Sequence, residues 1–235
     1  MLARQLTAEA LGTMLLLMVV IGSGIMGERL AGGNAALALL GNTLATGAIL
    51  TVLIVLFGPV SGAHFNPCVT LAAAAGKTLR WPTAAGYIGV QILGALIGVW
   101  LAHAMFDLPV LQLSTKARTG IGQWLAEFVA TFGLLLTIHG STARAPATTA
   151  AAVGLYITAA YWFTASTSFA NPAVTLARAA SDTFAGIAPA GVSAFIAAQC
   201  AGTIVAAALS RWFWPPESTL PISTPPCAAA GDAAR

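Results

Sequence analysis

The chain has 235 residues, of which 58% are hydrophobic and only 7% charged. Soluble domains carry about 25% charge, so this composition cannot cover a water-facing surface. The net charge of +3 is small and scattered, which argues against a nucleic-acid partner.

Uncharged runs occupy Ala10–Gly27, Leu30–Ala63, Trp81–Ala102, Ala145–Ala177 and Thr183–Ser210, and Ile121–Gly140 is broken only by Glu127. A membrane span needs about 20 mostly apolar residues, so six spans are expected. Glu9 sits where a signal peptide would need its apolar core, so the first span is expected to be retained. With six spans, Arg4, Lys77, Arg80, Arg144, Arg211 and Arg235 fall on one side, and Arg29, Lys116, Arg118 and Arg178 on the other. The positive-inside tendency then places both termini in the cytoplasm. Cys68, Cys200 and Cys227 have no metal-ligand spacing, and neither a metal nor a cofactor is expected. No nucleophile–base pair is present, so an enzyme is not expected.

The chain also resembles itself. Ala8-Glu9-x-x-x-Thr13 returns as Ala126-Glu127-x-x-x-Thr131 at an offset of 118. Asn66-Pro67-x-Val69-Thr70-Leu71-Ala72 returns as Asn171-Pro172-x-Val174-Thr175-Leu176-Ala177 at an offset of 105, and Gln91-x-x-Gly94 as Gln199-x-x-Gly202 at 108. Each half holds three spans, an odd number, so the second copy enters the membrane from the opposite side. The expected divisions are a first repeat at 1–106, a connecting loop at 107–118, a second repeat at 119–211 and a disordered cytoplasmic tail at 212–235.

Asn is a good N-cap and Pro suits the first helical position, so each Asn-Pro starts a helix. The runs that follow, Pro67 to about Lys77 and Pro172 to about Ala180, are each roughly 10 residues, about 15 Å, half of a bilayer core. Two such half-helices entering from opposite faces meet tip to tip at the midplane, both positive ends inward. The carboxamides of Asn66 and Asn171 then offer N–H groups to a passing solute oxygen. Glu9 and Glu127 are isolated acids in apolar helices, and two roles fit them. One is a proton relay; the other is accepting hydrogen bonds from the irregular backbone before the half-helices, which their symmetric placement favours.

These paired segments resemble the two Asn-Pro-Ala boxes of the aquaporin, or major intrinsic protein, family, over about residues 5–211. The resemblance implies an all-α membrane protein, with six tilted helices in a right-handed bundle and two re-entrant half-helices. It also implies one pore per subunit, a homotetramer and a bacterial inner (plasma) membrane location. The boxes are Asn66-Pro67-Cys68 and Asn171-Pro172-Ala173; Cys68 departs from the usual Ala and reads as a packing residue or a reactive thiol. His64 matches a family position near the cytoplasmic mouth, as a pore-lining donor or a brace.

In most of the family an Arg follows the second box and lines the outer constriction; here that position is Val174. Ungapped counting from the boxes places the other constriction positions on Thr46, Ala159 and Ser168. All four residues are small or medium and uncharged, which implies a wide filter. Arg178 lies one turn beyond Val174, either hanging back over the constriction or complementing the half-helix C-terminus. The Arg-to-Val change resembles a bacterial subgroup associated with arsenic resistance, and arsenite is a neutral trihydroxide near pH 7. The expected function is a passive channel for small neutral solutes: water, glycerol-like polyols and metalloid hydroxides such as arsenite. A secondary transporter of inverted-repeat type and a non-conducting structural membrane protein are the alternatives.

Overall fold

The computed structural model describes residues 1–215; the remainder of the expected tail, with Cys227, lies outside the described residues. Eight α-helices and no strand occur among the described residues. The first half contains α1 (Leu2–Leu30), α2 (Ala35–Ser61), α3 (Pro67–Ala75) and α4 (Trp81–Met105). The second contains α5 (Ile121–Arg144), α6 (Thr149–Phe163), α7 (Pro172–Arg178) and α8 (Pro189–Phe213). Helix α8 thus extends to Phe213, past the point where the tail was expected to begin.

Among the described residues five helices, α1, α2, α4, α5 and α8, are long and apolar enough to cross a membrane. The sixth expected span, α6, has only 15 residues. A 3-10 turn at Pro146–Thr148 leads into it, because Pro146 cannot continue the α5 hydrogen-bond ladder. The turn and helix together reach about 28 Å, close to the thickness of a hydrocarbon core.

The packing repeats between halves. Helix α1 packs on α4 and α2, and α5 correspondingly packs on α8 and α6; α2 meets α6 across the two-fold. The half-helices cross over, α3 touching α8 and α7 touching α4. Close approach at the α1–α4 seam depends on glycine. A Cβ at Gly94 would collide with the Ala10 carbonyl and one at Gly98 with the Met14 carbonyl. Gly202 faces the Phe128 carbonyl in the same way at the α5–α8 seam. Without a hydrophobic driving force between helices in lipid, such small-residue contacts supply much of the association.

The connection between the halves folds back on the segment after α7. Ser114 N donates to Ala179 O at 2.9 Å, and Ala188 N donates to Lys116 O at 2.7 Å. Asp182 accepts from the N–H and hydroxyl of Thr115 at 2.8 and 3.0 Å. Those two bonds hold the Asp182 carboxyl below the usual carboxylate range. A depressed pKa means the anchor persists at neutral pH and is lost only as pH falls through that lowered value.

Gly94→Val should cost about 1–3 kcal/mol through overpacking against α1. The loss is read as a lower melting temperature in detergent. Gly89→Val on the same helix, where an added Cβ meets nothing within 4 Å, should melt like the parent.

Candidate functional site

Asn66 and Asn171 stand in extended backbone at the N-termini of α3 and α7, each followed by Pro at the first helical position. The Asn66 Oδ1 accepts from Cys68 N at 2.8 Å, and the Asn171 Oδ1 from Ala173 N at 3.0 Å and Val174 N at 3.3 Å. The amide nitrogens do something the sequence did not suggest. Asn66 Nδ2 donates to Ala170 O and Asn171 Nδ2 to Phe65 O, both at 2.8 Å. The two tips are therefore cross-tied, and each amide keeps one further N–H.

The segments before the tips are irregular and strained. Ala63, Phe65, Ser168 and Ala170 all have φ near +50°, a left-handed region that non-glycine residues seldom occupy. Two buried carboxylates hold them there. Glu9 accepts from His64 N, Phe65 N, the Ser61 hydroxyl and Gln91 Nε2, between 2.6 and 3.0 Å. Glu127 accepts from Phe169 N and Ala170 N at 2.9 Å and from Gln199 Nε2 at 2.6 Å. The same glutamines reach Thr70 and Thr175 on the half-helices, at 3.0 and 2.8 Å. Neither carboxylate lines the central cavity.

That cavity has a volume of about 610 Å³ and contains both tips in its wall. It extends from Arg211 and Trp214 at the α3 end to Thr46, Tyr161, Ser168 and Val174 toward the α7 end. His64 faces it as well, its Nδ1 3.1 Å from the Thr70 hydroxyl and its ring edge-on to Tyr87. No Asp or Glu lines the cavity among the described residues.

Three residues from the sequence reading sit elsewhere. Ala159 is exposed and does not line the cavity, whereas Ile157 and Tyr161 do. Two residues along a helix turn the side chain by about 200°, so Ala159 faces away from both. The Tyr161 hydroxyl points instead at the Thr46 hydroxyl, 3.3 Å away. The signal was available: Thr149, Val153, Ile157 and Tyr161 recur every fourth residue and form one face, and all four line the cavity. Arg178 is also absent from the cavity wall. It is 1% exposed, its Nε donates to Ala185 O, and its guanidinium lies 3.3 Å from the centre of the Phe169 ring. Phe169 lines the cavity and has Arg178 against its ring, so it stands between the guanidinium and the cavity. Cys68 is fully buried and likewise does not line the cavity.

The family model of the major intrinsic proteins matches residues 1–157. An aquaglyceroporin, AqpS, of Rhizobium meliloti (strain 1021) is 52% identical over 225 residues, spanning 96% of each chain. Aquaporin NIP2-3 of Zea mays is 33% identical over 201 residues, covering 79% of this chain and 63% of that one. Among solved structures, the aquaglyceroporin from Plasmodium falciparum superposes with a TM-score of 0.69 at 20% identity, covering 89% of this chain and 95% of that one. An α-helical membrane protein with two half-helices meeting in the wall of one cavity is the class these observations define. The chain belongs to the major intrinsic protein family, whose members are channels and not enzymes.

Removing either tip amide leaves a buried carbonyl without its donor. Asn66→Ala and Asn171→Ala should each destabilise by about 1 kcal/mol for the cap and about 1–3 kcal/mol for the orphaned carbonyl. Because both cross-ties hold one junction, the double variant should lose less than the sum, by about 0.5 kcal/mol or more. Denaturation in detergent reads this cycle, and strictly additive losses would mean that the tips are not coupled.

Proposed function

We propose that the protein is a passive channel for small neutral solutes, wider than a water-only pore and carrying water, glycerol-like polyols and metalloid hydroxides such as arsenite. The observation that carries this reading is the cavity wall on the α7 side of the tips, which we take as the neck. Thr46 and Tyr161 carry hydroxyls there, and Ser168 and Val174 complete a wall with no charge. Hydroxyls both donate and accept, so a polyol or trihydroxide can exchange its hydration shell for them one contact at a time. At the tips, the remaining N–H of each Asn and the N-terminal ends of α3 and α7 favour a solute oxygen and disfavour a cation. The similarity to an aquaglyceroporin across the full chain supports the glycerol-like substrate class.

In this reading Thr46, Tyr161, Ser168 and Val174 form the filter, His64 lines the inner route, and Glu9 and Glu127 brace the two irregular segments. The protein works as a homotetramer in the bacterial inner membrane with both termini in the cytoplasm. Coupling through an intramembrane carboxylate would need an acid exposed to the solute path. The two intramembrane acids are instead committed to backbone and glutamine N–H groups.

Stopped-flow light scattering on proteoliposomes tests this directly. Wild-type vesicles should pass water, glycerol and arsenite without saturation at low solute and without dependence on a proton gradient. Saturation, or drive by a proton gradient, would favour a transporter. Val174→Arg should cut glycerol and arsenite flux at least tenfold more than water flux, since the larger solutes lose the open cross-section. Ala159→Phe should leave all three fluxes within twofold of wild type, whereas Tyr161→Ala should raise glycerol flux relative to water. The opposite pattern would restore Ala159 to the neck.

A further inference from the structure

The two halves of this molecule share a two-fold relation, and the surroundings of Phe169 depart from it. At the offset of 105, His64 corresponds to Phe169 and Ala73 to Arg178. His64 packs edge-on to Tyr87, and Phe169 packs edge-on to Phe195, ring centres 5.4 and 5.2 Å apart. The α3 half thus has an alanine where the α7 half has a fully buried guanidinium. A second guanidinium joins it from the connecting segment, for which the first repeat holds no counterpart. Arg118 lies 5.1 Å from the centre of the same Phe169 ring. Its Nε donates to Gly186 O at 2.9 Å and its Nη1 to Ser166 O at 3.1 Å.

The partners that hold these arginines are carbonyl oxygens, which orient a charge without cancelling it. The Nη1 of Arg178 has no hydrogen-bond partner among the described residues. Glu127 hydrogen-bonds neither arginine among the described residues, its oxygens being engaged by Phe169 N, Ala170 N and Gln199. Two positive charges over one committed carboxylate leave a net positive centre. Phe169, which both guanidiniums contact, lines the cavity. Burying an arginine that lacks a carboxylate partner is costly, and α3 folds in the same way without one. The half-helix fold therefore does not itself require Arg178, while Arg118 ties the connection to Ser166 and Gly186.

We propose that Arg118 and Arg178, acting through the Phe169 ring, exclude cations and protons from the neck, a task that uncharged Val174 cannot perform. The inference rests on the channel reading above. Set behind the ring, the charges raise the electrostatic energy of a cation in the neck without occupying its cross-section. The neck can then be wide enough for a polyol and still closed to potassium. In a low-dielectric wall a unit charge a few ångströms away is worth about tenfold in the occupancy of a monovalent cation.

The test uses the full-length protein in proteoliposomes, with glycerol flux, potassium leak, proton leak and chloride leak measured on the same vesicles. The double variant Arg118→Gln, Arg178→Gln should raise potassium and proton leak about tenfold or more. Glycerol flux should stay within twofold and chloride leak should not rise. Arg178→Lys keeps the charge but not the guanidinium geometry, and should exclude cations like the parent. A double variant that conducts glycerol with wild-type cation leak overturns the proposal. So does a parallel rise in potassium and chloride leak, which would mark a loosened loop. If Arg178→Gln fails to assemble, Arg118→Gln alone still decides, because a charge effect raises its potassium leak severalfold and no rise refutes it. Wild-type vesicles that pass no glycerol would instead remove the channel reading and this inference with it.

Discussion

Backbone that is not helical has no water to turn to at the depth of a bilayer, and every N–H and C=O it exposes there needs a protein partner. The two segments that precede Asn66 and Asn171 meet that requirement with one carboxylate each. Glu9 and Glu127 take up consecutive N–H groups, the amides of His64 and Phe65 and those of Phe169 and Ala170. A glutamine on the neighbouring long helix supplies the next bond, to the carboxylate and to the half-helix threonine together. Everything else about the centre of the molecule follows from these two knots. They fix residues in left-handed backbone, they aim the half-helices, and they set the tips close enough to bond to one another.

The repeated spacing of acid, Asn-Pro box and Gln-x-x-Gly made this frame legible, because each of its members is a polar residue in an apolar stretch. Such residues are too expensive in lipid to be there by chance of composition, so their recurrence in the same order carried the topology. The glycine of Gln-x-x-Gly proved to be the contact point of the long helices: Gly94 and Gly202 each meet a carbonyl of the facing helix.

What could not be read was which way side chains turn once the backbone leaves regular structure. Counting back from Asn171 without gaps lands on Ala159, two residues from the face of α6 that carries Ile157 and Tyr161. The helix itself puts Tyr161 at the cavity and Ala159 on the outside. Arg178 was read on a helical wheel, but Phe169 from the preceding irregular segment intervenes. Arg118 lies in the connection between the halves, where no periodicity constrains a side chain, and only the folded chain brings it to the same ring. The cross-ties at the tips were missed for a related reason. The Asn residues were expected to turn their amides wholly toward a solute, yet the nearest acceptor is the carbonyl of the opposite segment.

Those cross-ties bear on how the chain is made. The first half is synthesised before the second, and until α7 arrives the Phe65 carbonyl and one Asn66 N–H have no partner at membrane depth. Each unsatisfied group there costs several kcal/mol, so the early intermediate is not a finished half-channel. It must keep its irregular segment wet, or shield it against the insertion machinery, while α5 and α6 are added. The arrival of α7 then closes both deficits in one event. Biogenesis thereby gains a late checkpoint: a chain truncated before residue 171 retains an open polar seam that marks it as incomplete.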